Sequence, residues 1–347
     1  MGKNKEPKTT DLGSKDNNQA KRRIRVALDV MGGDYAPQEI IKGGLLAAQD
    51  SELEIVFVGP EKAVKDGIER SGYTGSGVSI VNASEVIGMG EAPVLAIKNK
   101  KDSSIVVGTE LMKKREVDGF VSAGNTGAVV TAATLIMGRR KGVIRPALGA
   151  VFGFPQGPIL CLDIGANAEC KPEMLVQFAR MGSIYMQKVF GIPEPRIGLL
   201  SNGEEETKGN QTVQKAHKMI KKAKLNFIGN VEGRDLGRGV ADVLVTDGFT
   251  GNVLLKTGEG LGEMLLNSVR DSMKGNPRLN EAVDLLTPVV QSVIGMLDYT
   301  HYGGALLLGV DGVVIVAHGR SNAIAIRNAI NAAKREVVQG VAEAMRV

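Results

Sequence analysis

Short apolar runs suited to β-strands alternate with segments of helical spacing along most of the chain. Residues 24–30 and 53–58 are rich in β-branched and apolar side chains, and a helical pattern follows each of them. The alternation continues to residues 313–316, and a last helical pattern begins near Asn322. Strands joined by helices pair in parallel and need cover on both faces. The sequence therefore predicts an α/β fold, with a mostly parallel sheet and helices on both faces.

The basic charge of the chain is concentrated at its start. The 347 residues have a formal net charge of +5, and residues 1–23 hold seven lysines and arginines against three acidic residues. The rest of the chain is close to neutral, which argues against a nucleic-acid-binding body, as does an aromatic content of only 4%. Residues 1–22 are polar throughout. We expect a disordered basic tail over residues 1–22 and a single α/β catalytic domain over residues 23–347.

Targeting and metal signals are missing from the sequence. The first residues lack the apolar core of a secretory signal, and no run of 18 uncharged apolar residues exists that would span a membrane. The two cysteines, Cys161 and Cys170, are too few for a disulfide framework, and neither they nor the three histidines have metal-ligand spacing. These features predict a cytoplasmic protein without a bound metal.

Five polar, glycine-containing turns follow predicted strands, at residues 31–37, 122–127, 163–167, 202–210 and 246–252. Ligands of open α/β sheets bind at the carboxyl ends of the strands. Glycine lets backbone N–H groups approach an oxyanion, and the next helix N-terminus favours negative charge. The turns therefore predict a phosphate-type anion pocket, although ordinary βα turns that need glycine would look the same. The residues expected to bind substrate or phosphate are Gly32, Gly33, Asp34, Gly124, Asn125, Thr126, Asp163, Gly165, Asn167, Gly248 and Thr250.

Other common site signatures are missing. No G-x-G-x-x-G follows the first strand, so a standard dinucleotide site is unsupported. Residues 203–210, GEEETKGN, place lysine before glycine, which is the reverse of the phosphate-binding P-loop. The chain also lacks the G-x-S-x-G nucleophile motif of serine hydrolases.

A series of distinctive segments is spread over the chain from residue 24 to about residue 340. They are ALDVMGGDYAP (27–37), EAPVLAIKNKKDSS (91–104), SAGNTGA (122–128), RPAL (145–148), DIGANAECKPE (163–173), GEEETKGN (203–210), FIGNVEGRDL (227–236), DVLVTDGFTGNVLLKT (242–257), HYGGALLLG (301–309) and AHGRSN (317–322). In their order and spread, these segments closely resemble the bacterial acyl-ACP:phosphate acyltransferases. The chain departs from that family's usual residues at Tyr35, Glu169 and Ser201, where His, Asp and Asn are common.

The resemblance implies both a fold and a reaction. The family is similar in fold to phosphate acetyltransferases and to isocitrate and isopropylmalate dehydrogenases. It transfers a fatty acyl group from acyl carrier protein (ACP) to inorganic phosphate, and the acyl phosphate serves phosphatidic acid and phospholipid synthesis. No metal or organic cofactor is implied.

Such a reaction needs positioning of two reactants and stabilisation of the oxyanion that forms at the thioester carbonyl. We expect Lys208 to hold phosphate or stabilise the oxyanion, although most lysines are simply solvated. We expect the amide of Asn252 to donate to the oxyanion, although asparagine is also a common helix N-cap. Asp247 is the candidate acceptor for a phosphate proton.

The resemblance also implies partners: ACP, inorganic phosphate, a second copy in a homodimer, the membrane surface as a peripheral contact, and a downstream glycerol-3-phosphate acyltransferase. Residues 276–300 have the pattern of a projecting helical hairpin. Its first apolar face, with Leu279, Val283 and Leu286, is suited to a membrane surface or to a protein interface. Because ACP is strongly acidic, a basic patch should face it. The candidates are Lys98, Lys100, Lys101, Arg139, Arg140 and Lys141.

Three alternative functions remain compatible with the sequence. A CoA-dependent phosphate acetyltransferase and a metal-dependent decarboxylating dehydrogenase would use a related fold. A non-enzymatic scaffold for lipid synthesis at the membrane surface would need neither Lys208 nor Asn252.

Overall fold

The computed structural model describes residues 22–273, 295 and 299–345. Residues 1–21 of the predicted tail and nearly all of the hairpin predicted over 276–300 lie outside this part of the chain. The described strands are β1 Ile24–Asp29, β2 Leu53–Gly59, β3 Val78–Asn82, β4 Gly119–Ser122, β5 Ala147–Phe154, β6 Gly157–Leu162, β7 Ile197–Leu200, β8 Phe227–Val231, β9 Val243–Val245, β10 Ala305–Leu308 and β11 Val313–Val316.

Helices connect most of these strands. The π-helical turn Ala133–Met137 extends α5 directly. The described α-helices are α1 Gln38–Ala47, α2 Glu61–Ser71, α3 Pro93–Asn99, α4 Ser104–Lys113, α5 Thr126–Ala132, α6 Pro172–Phe190, α7 Gln211–Lys221, α8 Gly248–Met273, α9 Ala323–Val338 and α10 Val341–Ala344.

All of these strands belong to one sheet, in the order β3-β2-β1-β4-β11-β10-β5-β6-β9-β7-β8. Pairing is parallel from β3 to β11 and again from β6 to β8. The three pairings between these halves, β11–β10, β10–β5 and β5–β6, are antiparallel. The predicted, mostly parallel sheet is therefore confirmed. Because direction reverses three times, the two parallel halves run in opposite directions, and their strands end at opposite edges of the sheet.

The reversal rests on two strands that sequence reasoning did not predict. β5 reads ALGAVFGF and β10 reads ALLL, and neither shows the polar and apolar alternation that marks a strand. Both are almost fully buried, so nothing in their hydrophobicity distinguishes them from buried helix.

Helices cover both faces of the sheet, as expected. One apolar layer contains Val26 and Leu28 of β1 and side chains of α1, α6, α7 and α9. The other contains Ala27 of β1 and side chains of α3, α4, α5 and α8. Successive residues of β1 thus point into different layers, as strand geometry requires. Among the helices the structure describes, none is both long and apolar enough to cross a membrane.

We expect Gly108→Ala to lower the free energy of unfolding by about 1–3 kcal/mol, measured by chemical denaturation. Gly108 of α4 lies against the fully buried ring of Phe120, and an added Cβ would be 2.3 Å from a ring carbon. The matched control is Gly260→Ala in α8, where nothing lies within 4 Å of the added Cβ. That change should leave stability unaltered or raise it by up to about 1 kcal/mol. Equal stability of the two variants would contradict the close packing of α4 on the sheet.

Candidate active site

The structure divides the predicted turns between the two edges of the sheet. The first turn cluster follows the adjacent strands β1, β4 and β11, and the second follows the adjacent strands β6, β9 and β7. The five turns therefore do not all follow strands that end at the same edge, because β10 and β5 reverse the direction of the second half. The first cluster contains Gly32, Gly33, Asp34, Gly124, Asn125 and Thr126. The second contains Asp163, Gly165, Asn167, Lys208, Asp247, Gly248, Thr250 and Asn252.

Close backbone approach holds the first turn cluster together. A Cβ on Gly32 would lie 2.5 Å from the backbone nitrogen of Gly124, so the first turn needs glycine at this position. Gly33 has a φ of +103°, and the next amide, Asp34 N–H, donates to the carbonyl of Gly319 at 2.8 Å. The turn after β11, which was not among the five predicted turns, is thus part of this cluster.

A buried carboxylate, that of Asp29, holds the turns of the first cluster in position through hydrogen bonds. Asp29, at the end of β1, accepts from the Ser122 hydroxyl at 2.7 Å and from Met31 N–H at 3.1 Å. The Ser122 hydroxyl in turn accepts from Gly124 N–H at 3.0 Å. Burial raises the pKa of Asp29, against the lowering effect of these hydrogen bonds. Asp29 thus holds the turns in place, a role that its position at the end of a strand could have suggested.

Asn125 is engaged within the protein. It is 7% exposed, and its Nδ2 donates to the carbonyls of Gly88, Met89 and Glu91 at 3.0–3.2 Å. Its Oδ1 accepts from Ala128 N–H at 3.0 Å and so caps α5, whose first residue is Thr126. The side chain of Asn125 therefore fixes a loop and a helix start and leaves no donor for a ligand.

Asp163 organises the second turn cluster. Its carboxylate accepts from the backbone N–H groups of Leu148, Gly165, Ala166 and Asn167 and from Nδ2 of Asn167, at 2.8–3.1 Å. Burial raises the pKa of Asp163, and these hydrogen bonds oppose that shift because they favour the ionised form. The side chain is fully buried. It shapes the turn from within and is not exposed to a ligand.

Asn167 joins this turn to the residues that precede β5. Its Nδ2 donates to the carbonyl of Pro146 at 2.8 Å as well as to Asp163. The contact places Arg145, the residue before Pro146, beside the second cluster. Gly165, with a φ of +148°, is exposed in the same turn, and the Asn252 side chain lies 3.9 Å from the position of a Cβ on it.

Asp247 caps helix α8. Its carboxylate accepts from Thr250 N–H at 2.8 Å and from the Thr250 hydroxyl at 3.0 Å. The N-cap role that was considered for Asn252 thus belongs to Asp247, and Asn252 lies in the second turn of the helix, exposed. Gly248 packs against the backbone of Asn167, where a Cβ would come within 2.7 Å of the carbonyl oxygen.

Several polar side chains at this edge have no partner in the described chain, and three of them can donate to an anion from an exposed position. Arg145, Lys208 and Asn252 are exposed, and their side chains form no hydrogen bond or ion pair with any residue in the described ranges. Sequence reasoning assigned no role to Arg145, although the RPAL segment (145–148) was part of the resemblance. Two cations and an amide donor at one edge of the sheet can hold an anion and donate to an oxyanion.

A groove of about 850 Å³ begins one helical turn beyond Asn252, at Lys256. One wall is α8, with Gly258 and Gly260, and the other is formed by residues 299–301 and by the first-cluster segment 318–328. The groove thus lies between a helix that starts in the second cluster and the segment that follows β11. Its remaining lining residues are Glu259, Gly262, Glu263, Tyr299, Thr300, His301, His318, Arg320, Ser321, Asn322, Ile324, Ala325 and Asn328.

The histidines and cysteines do not suggest further chemistry at the second cluster. Within residues 22–273 and 299–345, no three His, Cys, Asp or Glu side chains are arranged to hold a metal ion. His217 is buried and shares a hydrogen bond of 2.9 Å with Asn230. Burial raises the pKa of both thiols, Cys161 and Cys170, to about 12, which makes them poor nucleophiles at neutral pH.

The predicted basic patch is not a single surface. Lys100 is paired with Glu91 at 2.6 Å and also donates to the carbonyl of Val86, in the loop that follows β3. Arg140 is paired with Asp311 at 2.6 Å, and its N–H donates to Gly309 just after β10. β3 and β10 run in opposite directions, so residues 98–101 and 139–141 lie toward opposite edges of the sheet.

Comparison with known proteins agrees with this architecture. A family model described as "Fatty acid synthesis protein" matches residues 24–344. A phosphate acyltransferase of Dictyoglomus turgidum is 49% identical over 316 residues, covering 90% of this chain and 94% of the relative. One from Heliobacterium modesticaldum is 48% identical over 324 residues, covering 93% and 97%.

Solved phosphotransacetylases have the same fold. One from Staphylococcus aureus has a TM-score of 0.61 at 15% identity, and one from Streptococcus pyogenes has 0.63 at 16%. In both comparisons the match covers 91% of this chain and 94% of the other. Identities this low establish the fold alone, and they confirm the fold that the resemblance implied.

We expect Asp163→Asn to lower the free energy of unfolding by about 2–4 kcal/mol, because an amide N–H₂ would face N–H donors that now meet a carboxylate oxygen. Thermal and chemical unfolding would measure the change. The control is Asp34→Asn, an exposed carboxyl whose replacement should change stability by less than about 0.5 kcal/mol. An Asp163→Asn variant as stable as the control would show that the turn does not depend on this carboxylate.

Proposed function

The chain belongs to the family of fatty acid synthesis proteins that includes the phosphate acyltransferases, and on this premise we propose that it transfers a fatty acyl group from ACP to inorganic phosphate. A phosphate oxygen attacks the thioester carbonyl, the C–S bond breaks, and acyl phosphate and the free thiol of ACP are released. The observation that carries the proposal is the set of unpartnered side chains, Arg145, Lys208 and Asn252, along one edge of the sheet.

Each of these side chains is suited to one part of the reaction. Inorganic phosphate is already anionic at neutral pH, so the site needs no strong base to activate it. Arg145 and Lys208 would hold the phosphate, and the planar guanidinium can contact two of its oxygens at once. Asn252 Nδ2 would donate to the oxyanion as the carbonyl becomes tetrahedral. Positioning and charge stabilisation are then sufficient for acyl transfer.

Other predicted residues hold the turns of the site and the start of α8 in position. Asp163 and Asn167 hold the turn that faces Asn252, and Asp247 fixes the start of α8, on which Asn252 lies. We assign Asp247 to positioning, since both of its oxygens accept hydrogen bonds from Thr250. Gly248 keeps the backbones of the two turns close together, and Gly165 leaves space in front of the Asn252 side chain.

The groove along α8 is suited to the extended part of the acyl donor. Its volume of about 850 Å³ is within the usual range of small-molecule pockets, about 300–1,000 Å³. Its lining begins at Lys256, one helical turn after Asn252, and includes His318 and Arg320, the neighbours of Gly319, so a long acyl group with its thioester at Asn252 could extend into it. This arrangement would give the first-cluster residues Gly32, Gly33, Asp34, Gly124 and Thr126 a place at the far end of the same substrate.

We propose that residues 23–347 act as one catalytic domain, because one continuous sheet contains both clusters. We further propose a homodimer that contacts the cytoplasmic face of the membrane and passes its product to a glycerol-3-phosphate acyltransferase. Exposed apolar side chains on α8 support such contacts, since large exposed apolar patches on proteins often mark protein or membrane contacts. They are Phe249, Val253, Leu261, Met264 and Leu265, each 49–67% exposed.

We expect Lys208→Ala and Asn252→Ala each to lower the rate by about a hundredfold, because each removes one group that stabilises developing charge. Formation of acyl phosphate from acyl-ACP and labelled phosphate would be measured. Arg145→Ala should mainly raise the KM for phosphate. Lys62→Ala is the control, an exposed lysine on α2, beside the first half of the sheet.

Near-wild-type rates for both Lys208→Ala and Asn252→Ala in folded protein would remove the second cluster from the mechanism. A wild-type enzyme that uses acetyl-CoA but no acyl-ACP would instead be a phosphate acetyltransferase. Absence of any acyl phosphate would favour the scaffold.

A further inference from the structure

Helix α7 and the three residues after it carry five lysines and no acidic residue. They are Lys215, Lys218, Lys221, Lys222 and Lys224 within the sequence QTVQKAHKMIKKAK (211–224). The chain beyond residue 23 is close to neutral as a whole, so the rest of it is net acidic. Without these five lysines, the 36 lysines and arginines beyond residue 23 fall to 31 against 35 acidic residues, so this segment accounts for the small net positive charge of the body.

Three of these lysines form a stripe on the solvent face of α7. Lys215, Lys218 and Lys222 are spaced i, i+3 and i+7, which places them on one side of a helix. The opposite side packs into the core through Ala216, His217 and Ile220. All three lysines are exposed, and Met219, 37% exposed, lies beside them. We call Lys215, Lys218 and Lys222 the lysine stripe.

The charge of the lysine stripe is not balanced within the protein. Lys221 is paired with Glu206, but no acidic side chain of the described chain forms a salt bridge with Lys215, Lys218 or Lys222. Lysines at a helix C-terminus do stabilise the helix dipole, and Lys218 and Lys222 are placed to do so. Lys215 lies in the second turn, where this effect has faded, so the stripe extends further than helix stability requires.

The lysine stripe is directly connected to the second turn cluster. Asn210 caps α7 by accepting from Val213 N–H at 2.9 Å, and Lys208 lies two residues earlier. Gln214 Nε2, in the first turns of α7, donates to the carbonyls of Thr207 and Gly209 at 2.7 and 3.0 Å. Lys215 is about 7 Å from Asn210 along the helix axis, at 1.5 Å per residue. A partner seated on the stripe would thus lie beside the proposed reaction centre.

We propose that the lysine stripe is the docking surface for the acidic carrier protein that brings the acyl thioester. This inference rests on the proposed function, which requires a strongly acidic protein to approach the second cluster. Lysines are flexible, well-hydrated point charges that attract an acidic surface over a distance. Contacts of this type speed encounter more than they slow release, which suits a carrier that must leave after each turnover. The stripe takes the place of the patch predicted at residues 98–101 and 139–141.

The test is the triple charge reversal Lys215→Glu, Lys218→Glu and Lys222→Glu in the full-length protein. We expect the KM for acyl-ACP to rise at least about tenfold at low ionic strength, with kcat within about twofold, because docking and not chemistry is affected. The difference from wild type should shrink as salt is added, since screening weakens exposed charges. A KM equal to that of the wild-type protein would overturn the proposal.

A matched control separates the surface from net charge. Lys62→Glu, Lys113→Glu and Lys114→Glu make the same charge change at exposed lysines that form no ion pair in the described chain, on α2 and the end of α4. This variant should keep its KM for acyl-ACP within about twofold. An equal loss in both triple variants would show that overall charge, and not the stripe, attracts the carrier.

Direct binding distinguishes failure of this proposal from failure of the proposed function. Fluorescence anisotropy with labelled, unacylated ACP needs no catalysis, and the stripe variant should bind it at least about tenfold more weakly than wild type. The triple Lys→Gln change at the same positions keeps helix propensity and should weaken binding in the same direction, which covers the case of a poorly folded Glu variant. The docking surface would be refuted if ACP did not bind to the wild-type protein, or if the Gln variant bound ACP as tightly as the wild-type protein does. Binding of ACP without any formation of acyl phosphate would refute only the proposed reaction.

Discussion

The antiparallel placement of β10 and β5 in the middle of the sheet determines where every other functional element lies. Because of these strands, the two parallel halves of the sheet run in opposite directions. The carboxyl ends of the strands, which usually meet at one edge of a sheet, therefore lie at two opposite edges. Each edge then has its own set of polar turns, and the groove lies between α8, which starts at one edge, and the segment that follows β11. The proposed substrate site therefore draws residues from both halves of the sheet.

Polar side chains in the two clusters divide into those that shape the backbone and those that face solvent. Asp29, Asn125 and Asp163 are buried and accept or donate all of their hydrogen bonds within the chain. Buried polar groups must be satisfied in this way, since an unmade hydrogen bond in the interior is costly. Arg145, Lys208 and Asn252 are exposed and unpaired, and so remain available to a ligand. Sequence proximity to a strand end does not distinguish the two kinds, because both occur in the same turns.

The sequence was therefore informative about the fold class and only partly about the site. The alternation of strand and helix predicted the α/β sheet, and the glycines at 32, 33 and 124 were correctly placed in tight turns. β5 and β10 were not predicted because they are buried on both faces and show no periodicity. The placement of the turns at two different edges of the sheet depends on these strands, so it was not predicted either. The capping role of Asp247 and the environment of Arg145 depend on contacts between segments far apart in sequence. The lysines of α7 were visible as residues, but their common face became meaningful only once the buried side of the helix was known.

The glycines of α8 lower the stability of the helix but leave free volume in the groove, so protein stability and ligand binding favour different residues at these positions. Gly258 and Gly260 lie within a long helix, where glycine is less favourable than alanine by about 1 kcal/mol per residue. Neither has any protein atom within 4 Å of the position its Cβ would take, so close packing does not explain their presence. Both line the groove, where a side chain would take up free volume. Selection for heat resistance alone would replace them with residues that narrow the groove. Homologues adapted to high temperature should therefore gain stability at other positions and keep glycine at the positions of Gly258 and Gly260.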